Sequence, residues 1–134
     1  MKLTCSKKDL RFALDIVSLA VSAGTTLPVL NNILFRASNK KLFLSATNLE
    51  IAINFSISAD IKNEGAITVP AKLITNYVSL LEDEEVELKV DEGTTLYLKT
   101  KSTQTKVKGI SPDEFPLIPG VEKEITLTIK AKDL

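Results

Sequence analysis

Lysine and arginine on two helical stretches are the side chains of this sequence best placed to meet a partner. Lys7, Lys8 and Arg11 fall within about a turn of one another, and Lys72 stands at the matching place of a second stretch. That spacing puts cations on one side of a helix, where they can face the phosphates of a polyanion. A solvated helix face has the same pattern and, by pattern alone, is its commoner cause. Catalysis has less to draw on. The sequence holds no histidine, no Gly-rich phosphate loop, no Cys or His ligand set and no carboxylate pair placed as acid and base. No catalytic residue, metal ligand or cofactor is therefore assigned. Cys5 alternates with polar neighbours and lacks an activating base, as a core thiol does. The acidic run Glu82-Asp83-Glu84-Glu85 has the oxygens that hard cations take, but it lies between a helix and a strand, where a solvated turn is the ordinary explanation.

Composition narrows the setting. Lysine and arginine total 17 against 17 aspartates and glutamates, so the chain lacks the basic excess on which a free-standing nucleic-acid binder relies. With 134 residues, 44% of them apolar, it can bury one domain's core. A single cysteine allows no internal disulfide and suits a reducing compartment. No apolar run approaches the ~18 residues of a membrane span, and Lys2 is not followed by a signal-peptide core. A cytoplasmic protein with no membrane partner is expected.

The helical stretches belong to a repeated unit. Leu3-Thr4-Cys5-Ser6-Lys7-Lys8-Asp9-Leu10 aligns with Ile67-Thr68-Val69-Pro70-Ala71-Lys72-Leu73-Ile74. Each reads as a short strand running straight into a helix. Ser6 with Asp9 resembles a capping box, and Pro70 suits a first helical turn. Leu10, Leu14, Val17 and Val21 then recur with helical period, widened by Ala13, Ile16 and Ala20; Ile74, Tyr77, Val78 and Leu81 do the same in the second unit. Strand-like alternation follows at Leu42, Leu44 and Ala46 and at Ile51, Ile53, Phe55 and Ile57. The second unit answers with Val86, Leu88 and Val90, with Leu96 and Leu98 after a turn at Asp91-Glu92-Gly93, and with a last strand at 103–108. The fold class expected is α+β: two β-α-β-β-β units whose two helices pack side by side on antiparallel sheets, since each unit alone leaves its apolar faces uncovered.

Residues 111–120, with Pro112, Pro116, Pro119 and Gly120, read as a linker out of this domain. The first domain is accordingly set at 1–120. A third strand-helix start, Leu127-Thr128-Ile129-Lys130-Ala131-Lys132-Asp133-Leu134, occupies 121–134 with the linker's end, and is expected to open a second domain of a longer protein.

Four separated motifs then carry a resemblance: Thr26-Leu27-Pro28-Val29-Leu30-Asn31-Asn32-Ile33-Leu34, Ala46-Thr47-Asn48-Leu49-Glu50-Ile51, Thr68-Val69-Pro70-Ala71-Lys72 and Asp113-Glu114-Phe115-Pro116. In order and spacing they are similar to the first domain of the bacterial replicative sliding clamps, the beta subunits of DNA polymerase III. The resemblance implies the DNA clamp fold and a non-catalytic processivity factor. Three-domain chains of that family form a head-to-tail homodimeric ring around duplex DNA, held topologically and without sequence preference. Polymerase III and the clamp loader bind it through later domains, which are absent here.

By the same resemblance, Lys7, Lys8, Arg11, Lys72, Thr75 and Asn76 line the hole and face DNA. Gly24 and Thr25 are placed facing DNA as well, in a loop where the family often carries a DNA-touching basic residue that this loop lacks. The dimer joint is implied at Thr103, Gln104, Thr105, Lys106, Val107 and Lys108, with Lys72, Leu73 and Asn76 beside them. A last strand with an open edge is a pairing template on physical grounds, although Lys101, Lys106 and Lys108 could equally blunt it. The alternative is a non-catalytic protein-binding module that uses the open edge for another partner. A lone domain of this kind is expected to be a monomer or weak dimer with negligible DNA binding at physiological salt.

Overall fold

A computed structural model describes residues 1–22, 26–116 and 125–134. Its elements, in chain order, are β1 (Lys2–Ser6), α1 (Lys7–Val17), β2 (Asn32–Ser38), β3 (Lys41–Thr47), β4 (Ala52–Ser58), β5 (Asp60–Asn63), β6 (Gly65–Pro70), α2 (Ala71–Leu80), β7 (Glu85–Val90), β8 (Thr95–Lys99) and β9 (Gln104–Lys108). The expected β-α-β-β-β order therefore appears twice, with β5 as an addition between the units.

Pairing shows how the halves depend on each other. The sheets run β5-β1-β7-β8-β9 and β4-β3-β2-β6, all neighbours antiparallel. Each unit thus lends its leading strand to the other unit's sheet, an exchange that periodicity alone could not reveal. The register is equivalent on both sides. Leu3 faces Leu88 across β1 and β7 as Ile67 faces Phe35 across β6 and β2. Phe35 faces Leu44 as Leu88 faces Leu98, and Leu42 faces Ile57 as Leu96 faces Val107. The two halves are related by a pseudo-twofold axis at the level of individual residue pairs.

Both helices lie over this pair of sheets. Leu10, Ala13, Leu14 and Val17 of α1 and Ala71, Ile74 and Val78 of α2 share one core with Leu3, Phe35, Leu44, Ile67, Leu88 and Leu98 from the strands. Ser6 caps α1, its hydroxyl accepting from the Asp9 N–H at 3.3 Å. Ser18, just past α1, meets Thr75 of α2 through their hydroxyls at 3.3 Å, which places the helices side by side. Pro70 differs slightly from expectation: it closes β6 and stands as the N-cap of α2 instead of its first turn.

Behind the sheets, the chain after β9 ties the two together. The Gly109 N–H donates to the Thr94 carbonyl at 2.6 Å, and Ile110 bridges Thr68 of β6, its N–H donating at 2.9 Å. The buried Thr68 hydroxyl donates to the Ile110 carbonyl at 2.9 Å and accepts from the Asn32 amide at 3.1 Å. Pro112, Phe115 and Pro116 then line the outer side of the sheet beside Leu34. This cover explains why Ile33, Leu34 and Phe35 are all buried in succession on β2, where a half-buried strand would alternate.

The helices end short of the apolar stripes, leaving Val21 and Leu81 in extended backbone just beyond them, and two strand expectations fail. Ile51 precedes β4 and is exposed, because it closes the turn before that strand. Residues 127–129 form no strand; a strand needs a ladder partner, and Leu127 and Ile129 are 84% and 54% exposed. Only a short 3₁₀ turn, Ala131–Asp133, forms there. The expected boundary at 120, with Pro119 and Gly120, lies outside the described residues.

Candidate nucleic-acid interface and subunit joint

The outward faces of α1 and α2 make one continuous surface. Lys8, Arg11, Lys72 and Asn76 are exposed there, while Lys7 and Thr75 are half-buried. Lys7 begins α1, where its backbone N–H donates to the Glu84 carbonyl at 2.8 Å. Thr75 shares its hydroxyl with Ser18 and so sits in the seam between the helices. Among the described residues the one ion pair is Lys89 with Asp91 at 3.2 Å, so Lys8, Arg11 and Lys72 keep their charges free for an outside partner. Asp9 and Asp15 share the surface and make it only mildly cationic. Gly24 and Thr25 lie outside the described residues.

The second feature is β9, an end strand that has no ladder partner on its outer side among the described residues. Thr100 donates its N–H to Thr103 at 2.9 Å and Gly109 donates to Thr94 at 2.6 Å, one at each end of the β8–β9 ladder. Hydrogen-bonded pairs alternate in an antiparallel ladder, so the N–H and C=O groups of Thr105 and Val107 turn toward β8. Those of Gln104, Lys106 and Lys108 turn outward. Val107 is 4% exposed and belongs to the core, which leaves Thr105 as the inner-face residue of β9 near the surface.

Helix α2 flanks this edge through a bond from the Tyr77 hydroxyl to the Thr103 hydroxyl at 3.1 Å. Leu73 and Leu80, on the same helix flank as Tyr77, are 54% and 80% exposed. Leu80 had escaped sequence reading; its signal was the seven-residue step from Leu73. The opposite end of the domain is β4, also an open edge, with Phe12 exposed beside it and stacked edge-on against Phe55. Of the other two sheet margins, β6 is bridged by Ile110, and the short end strand β5, paired with β1 on its inner side, leaves only a four-residue edge.

The other candidates resolve as structure. Burial, and then the nearby Asp9 carboxylate, push the Cys5 thiol up to about 12, so it stays protonated and unreactive at neutral pH. In the acidic run, Asp83 accepts from the Ser102 hydroxyl at 2.5 Å. Hydrogen bonds from Ser102, then Thr100, hold its carboxyl below the usual range.

Solved structures place the arrangement in a fold. The beta subunit of the Streptococcus pyogenes DNA polymerase superimposes with a TM-score of 0.91 at 25% identity, over 98% of this chain and 36% of that one. The DNA polymerase sliding clamp from Caulobacter crescentus does so at 0.85 and 30% identity, over 90% and 33%. The fold is that of the sliding clamps. The sequence model of the family described as DNA polymerase III beta subunit, N-terminal domain, matches residues 1–119, and the chain belongs to that family. A beta sliding clamp of Synechococcus elongatus is 39% identical over 100% of this chain and 36% of its own length; one from Synechocystis is 38% identical over 91% and 33%. The chain thus spans about a third of the curated relatives it matches.

Proposed function

We propose that this chain is the first domain of a ring-shaped processivity clamp, a cytoplasmic, non-catalytic replication factor that encircles duplex DNA and tethers the polymerase. The observation that carries the reading is the pair of equivalent helices lying side by side with their polar, mildly cationic faces outward. A ring holds DNA by topology, so its lining needs no sequence contacts and little net affinity; the balanced charge of 17 against 17 is compatible with that role. Lys7, Lys8, Arg11, Lys72, Thr75 and Asn76 form the lining in this reading. A link in a closed ring also needs two joints, and β9 and β4 are the longer open end strands, one in each sheet. The β9 end, flanked by Leu73 and Asn76, joins the second protomer through strand addition. The polymerase and the clamp loader act through parts of the ring beyond this chain.

Lys106→Pro tests the joint. Proline removes an outward N–H at a position where the ladder to β8 is not involved, a placement edge strands tolerate. The variant of the full-length protein is expected to fold normally yet sediment as a monomer at concentrations where the parent is a dimer. An unchanged dimer would show that β9 is not the joint.

A further inference from the structure

The joint has two parts, the outward-facing edge of β9 and the Leu73, Asn76 and Leu80 flank of α2, and their relative position has to be fixed by something. Strand β9 begins directly after a turn, Thr100 to Thr103, that is knotted by hydrogen bonds to the Thr100 hydroxyl. The Thr100 hydroxyl accepts from the Ser102 and Thr103 N–H groups at 3.3 and 3.0 Å and shares a hydrogen bond with the Thr103 hydroxyl at 2.9 Å. Besides the contact of the Thr100 hydroxyl with Asp83, two bonds leave this knot, and both reach the helix side. One is from Tyr77 Oη on α2 to Thr103 Oγ1 at 3.1 Å, and the other is from Ser102 Oγ to Asp83 Oδ2, in the connection from α2 to β7, at 2.5 Å.

Neither bond is needed to build the core, since Thr103 and Ser102 are exposed and Asp83 lies outside every strand and helix. Their common effect is to hold the first residues of the edge strand at a fixed place relative to the α2 flank. Groups held in the bound arrangement beforehand lose less freedom on association. We infer that Tyr77 and Asp83 are positioning residues for ring closure, clamping the Thr100–Thr103 turn so that β9 and α2 present one preformed surface to the neighbouring protomer. The inference rests on β9 being the joint.

The test is the dimer dissociation constant of the full-length protein, measured by sedimentation for Tyr77→Phe, Asp83→Ala, Thr103→Val and Thr103→Ser beside Lys106→Pro. Tyr77→Phe and Asp83→Ala are each expected to weaken the dimer about fivefold, the equivalent of one lost hydrogen bond. Thr103→Ser, which keeps the hydroxyl, stays close to the parent, whereas Thr103→Val weakens. Combining Tyr77→Phe with Thr103→Val adds no further weakening beyond Thr103→Val alone, a coupling that a general loss of stability would not produce. If Lys106→Pro abolishes the dimer while Tyr77→Phe and Asp83→Ala dissociate as the parent does, the positioning role is wrong and the joint stands. A dimer untouched by Lys106→Pro removes the joint itself.

Discussion

Replacing Phe35 with alanine is expected to destabilise the domain by about 3–5 kcal/mol, the range for deleting a buried aromatic ring. Phe35 is 0% exposed and lies at the centre of β2, between Ile67 on β6 and Leu44 on β3. It is part of the core under both helices, so the cavity opens at the meeting of the two halves, where neither helix can settle without moving the other. Against a typical total stability of about 5–15 kcal/mol, the loss is large enough to leave much of the chain unfolded at 37 °C. Phe35→Leu supplies the control. The equivalent position of the other half holds Leu88, so leucine suits this geometry and should cost far less. Urea unfolding of the three proteins checks the order; equal stability of Phe35→Ala and the parent would show that the shared core is not where the two halves hold each other.

Gly109→Ala is the second large effect, expected at about 3 kcal/mol from overpacking together with hydrogen bonds lost nearby. A Cβ on Gly109 would run into the Thr68 carbonyl oxygen and press on the Ile67 side chain. The obstacle is backbone inside a sheet, which cannot rotate away. Relief requires Ile110 to pull back from Thr68, which undoes the pair of main-chain bonds there and leaves the Thr68 hydroxyl without the acceptor for its proton. Amide exchange at Thr68 and Ile110 is expected to quicken along with the loss of stability. Gly93→Ala, with nothing within 4 Å of its added carbon, should be close to neutral. Like behaviour at the two glycines would contradict this account of how the sheets are tied.

Much of this design was legible in the residues. Helical spacing at Leu10, Leu14 and Val17 and at Ile74 and Val78 fixed both buried faces, because an amphipathic helix over a sheet must display that period. The internal likeness of 3–10 and 67–74 disclosed the duplication. The exchange of β1 and β6 between sheets stayed hidden, since a strand's own alternation does not say which neighbour it pairs with. Covered on both faces, β2 lost its alternation, and β5 is too short to carry one. The motifs that made the family recognisable are largely scaffold. Asn48 accepts from the Glu50 and Ile51 N–H groups, each at 2.9 Å, while the Thr47 hydroxyl donates to Ile51 and accepts from Leu49, whose φ is 75°. Thr68 anchors the tail, and Ser111 caps the turn that carries Asp113, Glu114 and Phe115. The helix surface was legible only as charge on a face. Val107, which the resemblance assigns to the joint, is also a core residue, a burial that strand period alone does not disclose. Leu80 stayed hidden because it stands off the buried stripe that helical period marks.

The most direct measurement is retention of the full-length protein on DNA after loading by its own clamp loader, on a nicked circle and on the same molecule linearised. Topological holding predicts that the protein survives raised salt on the circle and runs off once the DNA is cut. Retention equal on circle and line, falling steeply with salt as phosphate-driven binding does, would contradict the ring.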